Sequence, residues 1–305
     1  MVPETVKTRS VRRLVVLGVV LALVAFMMPP ATVRQAPMSL VKVSTAGAVD
    51  HPRHVVWILC LGSDARPGQS VIRTRADAIQ LVGLNLHTGA GTVIGVPRDS
   101  YVSIPGHGRN KINAALTFGG PSAMAGAVGN LVGVRPDYVF TAGFTGFRAM
   151  VQSIGGVTVK SDFAFSDPVR PKGYRVGDNK LNGFQTLIFA RIRKSFPGGD
   201  FDRSANQQDV LRGILSTVRA KRHKPGLMER GIFSVARNMD TNLRPSELFR
   251  LAYAVTEVKP AKVRGCVVTG GIGSAGGASV VFPNVGQARR IGNDARRDGT
   301  LNHGC

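Results

Sequence analysis

The feature that most constrains the fold of this chain is a set of three short apolar runs that lie beside charged turns. Residues 55–61 form one continuous apolar run, and residues 78–84 and 92–96 form two more that are mostly apolar. Runs of this length and composition are typical of strands buried in a sheet. Because residues 88–91 form a short turn with two glycines, the second and third strands are predicted to make a hairpin.

The remaining segments alternate between helical and strand patterns. Helices are predicted over 113–116, from Pro121 onward, over 144–154, 182–191 and 204–219, and after a cap at Ser246. Further strands are predicted over 138–140, 157–159, 263–269 and 278–282, the last two around a glycine-rich turn at 270–277. This mixture predicts an α/β (α+β mixed) fold with a central mixed β-sheet flanked by helices.

A basic segment followed by an apolar segment at the N-terminus predicts where the protein lies in the cell. Residues 1–13 contain four Lys and Arg side chains, and residues 14–28 are apolar and uncharged. As a helix the apolar run would span roughly 22 Å, which lies between a secretory signal and a full membrane span. We favour an uncleaved single-pass signal-anchor over 14–30. The positive-inside rule then places residues 1–13 in the cytoplasm and the rest outside it.

The charge of the chain indicates anionic partners. It carries 40 Lys and Arg against 18 Asp and Glu, a formal net charge of +22. Such an imbalance predicts contact with nucleic acid, phosphate-bearing substrates or an anionic membrane surface. The sequence lacks Walker A, H-E-x-x-H and G-x-S-x-G motifs. A G-x-G-x-x-G sequence at 271–276 leads into a predicted strand, so we interpret it as a hairpin rather than a dinucleotide-binding loop.

Acidic and basic side chains gather at the predicted strand ends. Asp64 follows the first strand, Asp77 precedes the second, and Arg98 and Asp99 follow the third. Asp64 and Asp77 offer the hard oxygen ligands that suit Mg²⁺ shared with a phosphate. Arg98 offers a planar fork of donors for phosphate oxygens. Each residue alone could be an ordinary turn residue or a surface ion pair.

Further candidates carry a positive charge or an amide group and lie at other predicted element ends: Lys111, Arg191, Arg193, Arg203 and Gln207. Lys111 belongs to a basic, glycine-rich loop that opens a helix, where an anion could bind. Arg203 and Gln207 are four residues apart and share a helix face. Together with Arg98, these three arginines are better explained by a pyrophosphate site than by scattered ion pairs. The two acids then serve as metal ligands, because bare carboxylates would repel the phosphates.

These motifs, in this order, resemble the LytR–CpsA–Psr family of cell-wall glycopolymer transferases. The likeness covers about residues 54–222 and includes Gly62-Ser63-Asp64-x-Arg66, Arg75-Ala76-Asp77, Pro97-Arg98-Asp99, Lys111-Ile112-Asn113, Arg191-x-Arg193 and Asp200-Phe201-x-Arg203. The resemblance implies a catalytic domain over 54–222, and residues 31–53, which lack a regular pattern, are predicted to form a tether before it. A C-terminal extension over 223–305 is expected to pack on the same domain.

The resemblance also implies a function. The sheet and helices would enclose an apolar pocket for a polyprenyl chain, with its pyrophosphate held at a polar mouth with Mg²⁺. The enzyme would transfer a phosphate-linked glycopolymer from this carrier to peptidoglycan. By motif, the metal ligands correspond to Asp64 and Asp77, and the pyrophosphate ligands to Arg98, Arg191, Arg193, Arg203 and Gln207. Asp99 could orient or deprotonate the acceptor hydroxyl, although bracing Arg98 is the favoured role.

Two other functions fit parts of the sequence. A membrane-anchored DNA-binding regulator would explain the charge. The basic residues are dispersed, however, no helix–turn–helix pattern is evident, and the anchor places the domain outside the cytoplasm, so no nucleic-acid partner is predicted. A non-catalytic protein that binds wall polymers or lipid would need the basic site but not Asp64 and Asp77.

The three cysteines are predicted to differ in state. Cys266 and Cys305 lie in the region expected to be exported, where a disulfide between them would persist. Cys60 lies within the first apolar strand and is predicted to be a buried thiol.

Overall fold

A mixed β-sheet forms the centre of the part of the chain that this computed structural model describes, residues 36–43, 54–192, 198–223 and 238–305. Seven strands of these residues build it: β1 (Met38–Lys42), β2 (Val55–Ser63), β3 (Ala76–Asn85), β4 (Gly91–Gly95), β7 (Tyr138–Ala142), β12 (Met239–Thr241) and β13 (Val263–Val267). Their order across the sheet is β12-β1-β7-β2-β3-β4-β13. The predicted hairpin of β3 and β4 is present, with Val82 opposite Val93.

Helices and four small two-stranded sheets surround the central sheet. The helices are α1 (Ala115–Val132), α2 (Phe144–Ser153), α3 (Gly183–Arg191), α4 (Asp200–Lys221), α5 (Pro245–Glu257) and α6 (Val285–Ala295). The small sheets pair β5 (Tyr101–Ser103) with β6 (Arg109–Lys111), β8 (Val157–Ser161) with β11 (Gly177–Leu181), β9 (Phe165–Asp167) with β10 (Arg170–Tyr174), and β14 (Gly270–Ala275) with β15 (Ala278–Pro283). The predicted mixed α/β fold with helices flanking a central sheet is confirmed.

The two faces of the sheet contribute to different hydrophobic cores because side chains alternate along a strand. On β2, Trp57, Leu59 and Leu61 belong to a core that also contains side chains of α1 and α6. Ile58 points to the opposite face, into a second core with side chains of α2, α4 and α5. A third core lies under the small sheets and includes Phe189 of α3.

The prediction of a tether over residues 31–53 is wrong for five of these residues. Met38–Lys42 forms β1, which pairs antiparallel with β7 and parallel with β12. The apolar pattern of this strand is too short to identify it, and its partners lie about 100 and 200 residues further along the chain. The predicted anchor over 14–30 lies outside the described residues. Among those described, none of the helices has the length and hydrophobicity needed to span a bilayer.

Several predicted boundaries differ from the structure. Helix α5 begins at Pro245 after Arg244, one residue before the predicted cap at Ser246, because proline is favoured in the first turn. Helix α4 begins four residues earlier than predicted, at Asp200. Most of the predicted glycine-rich turn at 270–277 is strand β14, and the turn itself is Gly276-Gly277. The hairpin interpretation of the G-x-G-x-x-G sequence therefore agrees with the structure.

The C-terminal region, predicted as an extension over 223–305, contributes two strands to the central sheet, β12 and β13. Its last residue is joined to β13 by the expected disulfide between Cys266 and Cys305. Cys266 is buried in the same core as α6. The disulfide therefore ties the C-terminal tail to an edge strand of the sheet.

We predict that Cys305→Ser lowers the free energy of unfolding by about 2–4 kcal/mol, since the disulfide closes a long loop in the unfolded chain. Urea denaturation of the purified protein measures this loss. A reductant should destabilise the wild-type domain by a similar amount and leave the Cys305→Ser domain unchanged. Equal sensitivity of both proteins to the reductant would contradict the prediction.

Candidate functional site

A β-bulge at the start of β3 sets the position of Asp77. Gly62 pairs with Ala78 and Ser63 pairs with Ala76, so Asp77 is an extra residue on β3. Ala76 and Ile79 therefore lie in the same core although they are three residues apart. A bulge of this kind redirects a side chain at the edge of a site. Because of the bulge, the Asp77 side chain does not point into the core as Ala76 and Ile79 do, and its carboxylate contacts Arg98.

Arg98 lies in the turn after β4 and is surrounded by three carboxylates. Its Nη1 donates to Asp77 Oδ1 at 2.5 Å. Its Nε lies 3.7 Å from Asp99 Oδ2 and 4.0 Å from Asp200 Oδ1. Burial alone would lower the pKa of Arg98, but the hydrogen bond to Asp77 and the three negative charges together raise it. Arg98 is therefore a permanent cation, held at the end of the sheet.

Lys111 extends this cluster toward the β5–β6 hairpin. Its Nζ lies 2.9 Å from Asp99 Oδ1. Asp99 thus contacts both cations through its two oxygens, the contact to Lys111 being the closer. This geometry agrees with the bracing role favoured for Asp99 from the sequence.

The first turn of α4 supplies a second, more deeply buried ion pair. Arg203 Nη2 lies 2.7 Å from Asp200 Oδ1, and both side chains are 9% exposed. Asp200 also approaches Arg98, so it joins the arginine of α4 to the arginine in the turn after β4. Asp200 belongs to the Asp200-Phe201-x-Arg203 motif but was not predicted to be a site residue. The Asp-x-x-Arg spacing in a helical first turn was the signal that could have identified it.

A buried amide network holds the start of α4 against the sheet. Gln80 on β3 donates to Ser204 Oγ at 2.9 Å and to Gln207 Oε1 at 3.1 Å. Gln207 donates in turn to the carbonyl of Ala190, at the end of α3. Gly95 makes this approach possible, because a Cβ there would lie 2.3 Å from Ser204 Oγ. Gln207 therefore links α4 to the residue next to Arg191.

The other candidates are less closely connected. Asp64 contacts the backbone of Arg75 at the same strand ends. Its Oδ1 accepts a hydrogen bond from the backbone N–H of Arg75 at 3.1 Å. Arg191 is exposed at the end of α3, where its guanidinium lies 4.3 Å from the centre of the Phe144 ring. Arg193 lies outside the described residues. The structure thus brings Asp77, Arg98, Asp99, Lys111 and Arg203 into one chain of contacts.

The two proposed metal ligands can be tested against this geometry. Asp64 Oδ1 and Asp77 Oδ1 each accept one of the hydrogen bonds given above, and the second oxygen of each carboxylate takes no part in them. In the described part of the chain, no group of three or more His, Cys, Asp or Glu side chains is placed to hold a metal. Mg²⁺ usually binds one or two carboxylates together with substrate phosphates and water. The residues therefore fit Mg²⁺ shared with a phosphate rather than a metal held by protein alone.

Partly buried apolar side chains adjoin the polar cluster on one face of the sheet. Cys60 lies opposite Gln80 on β3 and Phe140 on β7. Burial raises the pKa of the Cys60 thiol to about 12, yet the side chain is only partly shielded from solvent. The predicted buried thiol is therefore only half-buried, and it lies between Gln80 of the polar network and the apolar core under α2 and α4.

The fold and the site together define a class of protein: a mixed α/β domain with a cluster of arginine, lysine and aspartate side chains beside partly buried apolar side chains. This chain belongs to the LytR_cpsA_psr family, whose family model matches residues 24–296. The resemblance drawn from the motifs is therefore confirmed, and the match extends beyond the 54–222 region on which the resemblance rested.

Known relatives and solved structures agree with this assignment. The chain is 32% identical over 195 residues to the Bacillus anthracis polyisoprenyl-teichoic acid–peptidoglycan teichoic acid transferase TagU. That alignment covers 64% of this chain and 62% of the relative, so the chain spans less than two thirds of the relative's length. The crystal structure of B. subtilis TagV is 26% identical, with a TM-score of 0.65 over 80% of this chain and 97% of that one. TagT bound to LI-WTA is 25% identical, with a TM-score of 0.65 over 83% and 94%.

We predict that Gly95→Ala destabilises the domain by about 1–3 kcal/mol, because the new Cβ overpacks the contact between β4 and α4. Ser204 would have to rotate away and lose its bond from Gln80. Thermal denaturation measures the effect. Gly271→Ala is the matched control, since a Cβ on that strand residue would meet no atom within 4 Å. Equal stability of the two variants would contradict the close approach.

Proposed function

We propose that this protein transfers a phosphate-linked glycopolymer from a polyprenyl-pyrophosphate carrier to peptidoglycan, outside the cytoplasmic membrane. The observation that carries the proposal is that the charged cluster around Arg98 adjoins partly buried apolar side chains around Cys60. Such a pair of surfaces suits a ligand with an anionic head and a long apolar tail. The name of TagU, which describes teichoic acid transfer from a polyisoprenyl carrier to peptidoglycan, supports the same reaction. TagT bound to LI-WTA also supports it.

The charge balance of the cluster explains why a divalent cation is part of the proposal. Arg98, Lys111 and Arg203 are matched by the carboxylates of Asp77, Asp99 and Asp200. These ion pairs leave little net positive charge for a pyrophosphate, and the three carboxylates would repel it. Mg²⁺ bound by Asp64 and Asp77 would neutralise the acids and part of the substrate charge. Asp77 would then release Arg98 toward the phosphate oxygens.

In the proposed reaction, an acceptor hydroxyl oxygen bonds to the phosphorus that carries the glycopolymer. The bond from that phosphorus to the bridging oxygen breaks, and the lipid monophosphate leaves. The hydroxyl proton passes to solvent or to a phosphate oxygen. Arg98 and Arg203 stabilise the charge that develops on the transferred and leaving groups. Asp99 positions Arg98 and Lys111 through its two contacts.

The remaining arginines act at the rim of the site in this proposal. Gln207 holds the carbonyl of Ala190 and thereby fixes the end of α3 that carries Arg191. The Phe144 ring packs on the Arg191 guanidinium and orients it. Arg193, two residues further on, completes the cationic set that the family resemblance implies. Arg191 and Arg193 would bind the distal phosphate or the first sugar.

We place the catalytic domain outside the membrane, with the anchor at 14–30 keeping it near its lipid substrate. The Cys266–Cys305 disulfide supports this location, because structural disulfides persist mainly in oxidising compartments. The net charge of +22 would favour an anionic membrane surface and anionic wall polymers.

We predict that Arg98→Ala lowers the rate of glycopolymer transfer by about 100-fold or more, the usual effect of removing one charge-stabilising donor. Arg98 is a better probe than Arg203, because breaking the buried Asp200–Arg203 pair would cost about 3–5 kcal/mol of stability. The assay follows release of lipid monophosphate from a polyprenyl-pyrophosphate glycopolymer with peptidoglycan as acceptor. Arg290→Ala, which removes an exposed arginine of α6, should retain the wild-type rate. A wild-type rate in Arg98→Ala would overturn the proposed function.

We also predict that transfer requires Mg²⁺. Asp77→Asn should raise the Mg²⁺ concentration needed for half-maximal rate by about tenfold or more, because the variant loses one charged ligand. Chelation with EDTA followed by Mg²⁺ titration measures both effects. Asp209→Asn, a change on α4 outside the cluster, is the matched control. A rate independent of Mg²⁺ would favour a non-catalytic, lipid- or wall-binding function, which does not need Asp64 and Asp77.

A further inference from the structure

A surface of aromatic and basic side chains continues from the candidate site along the β5–β6 hairpin. Tyr101 pairs with Lys111 and Ser103 pairs with Arg109, so these four side chains share one face of the hairpin. The opposite face carries Val102, which is buried in the core of α1 and α6. Because Lys111 contacts Asp99, the outward face begins at the candidate site itself.

The β14–β15 hairpin adds a second aromatic ring to this surface. Its Val281 N–H donates to the carbonyl of Asp99 at 2.9 Å, and Val281 bridges Ser100. This attachment brings the Phe282 ring to 6.0 Å from the Tyr101 ring, edge to face at 77°. The Arg109 guanidinium lies 5.2 Å from the centre of the Tyr101 ring. We call Tyr101, Arg109 and Phe282 the aromatic ledge.

Phe282 is held in place but remains accessible. Its ring packs against Gly273 on the neighbouring strand, where a Cβ would lie 2.7 Å from Phe282 Cε2. The side chain is nevertheless 43% exposed. Exposed apolar surface next to a polar site is a common sign of ligand binding. A fixed ring with an accessible side can bind a ligand with little loss of side-chain entropy.

The aromatic ledge and the apolar side chains around Cys60 lie on different sides of the charged cluster. The side chains around Cys60 pack on the face of the sheet that α2, α4 and α5 cover. The ledge lies on a hairpin whose inner side, with Val102 and Ile112, packs in the core of the opposite face. A lipid-linked donor bound beside Cys60 would therefore leave the ledge accessible to a second substrate.

We propose that the aromatic ledge is the subsite for the acceptor glycan. This inference rests on the proposed function. Aromatic rings have a negative face that attracts the C–H bonds of a sugar ring, and Arg109 adds donors for sugar hydroxyl or carboxylate oxygens. Tyr101 lies opposite Lys111, whose ammonium contacts Asp99. A sugar bound on the ledge would thus present its hydroxyl beside Lys111, where the phosphoryl group would be attacked.

The test compares Phe282→Leu with Phe282→Trp, because both fill the space beside Tyr101 and only tryptophan keeps an aromatic face. In transfer assays with varied peptidoglycan concentration, Phe282→Leu should raise the acceptor KM about fivefold to tenfold. Phe282→Trp should keep the KM within about twofold of wild type. Binding to purified peptidoglycan, measured by co-sedimentation, should weaken in parallel in Phe282→Leu, and affinity for the lipid-linked donor should not change. Phe249→Ala, which removes an exposed ring of α5, should not affect acceptor KM.

Each remaining outcome has a distinct meaning. An unchanged acceptor KM in Phe282→Leu, with transfer abolished by Arg98→Ala, would overturn the ledge as an acceptor subsite and leave the proposed function intact. A wild-type rate of transfer in both Phe282→Leu and Arg98→Ala would overturn the proposed function. If Phe282→Leu instead weakened binding to vesicles of anionic phospholipid and left peptidoglycan binding unchanged, the ledge would be a membrane contact and the acceptor proposal would be wrong.

Discussion

The ion pair between Arg98 and Asp77 is the contact on which the rest of the site depends. The β-bulge at Asp77, where β3 has one residue more than β2, makes this contact possible. Without the bulge, Asp77 would follow the alternation of Ile79 and Leu81 into the core beneath α1. Burying an unpaired carboxylate there would be costly. The bulge instead sends Ala76 into the core and leaves Asp77 beside Arg98. A local irregularity of the sheet thus determines where the charge of the site is concentrated.

The sheet also separates the polar and apolar parts of the site. Gln80, Cys60 and Phe140 lie on neighbouring strands in one row, so the polarity changes across a single line of the sheet. Helix α4 spans this boundary: its first turn carries Asp200 and Arg203, and Leu215 further along it packs in the apolar core. One helix therefore positions both an ion pair of the charged cluster and part of the adjoining apolar core.

The balance of charge in the cluster restricts how an anionic ligand can bind there. Cations and carboxylates are paired with each other, which keeps the buried charges compensated. An anionic ligand must replace carboxylates as the partners of the arginines, and a divalent cation can take those carboxylates. The same compensation that stabilises the free site makes substrate and metal binding interdependent in the proposed function.

The sequence by itself determined the mixed α/β class, the buried strands β2, β3 and β4, the family, and most members of the charged cluster, because these depend on local patterns and on short motifs. The tertiary structure decided the rest. Strand β1 exists because β7 and β12 complete its hydrogen bonds, and five residues within an unpatterned segment do not indicate such distant partners. The role of Asp200 and the direction of Asp77 depend on a helix start and a bulge. The aromatic ledge depends on two hairpins that meet only after folding, since contacts between segments nearly 200 residues apart leave no periodic signal in either.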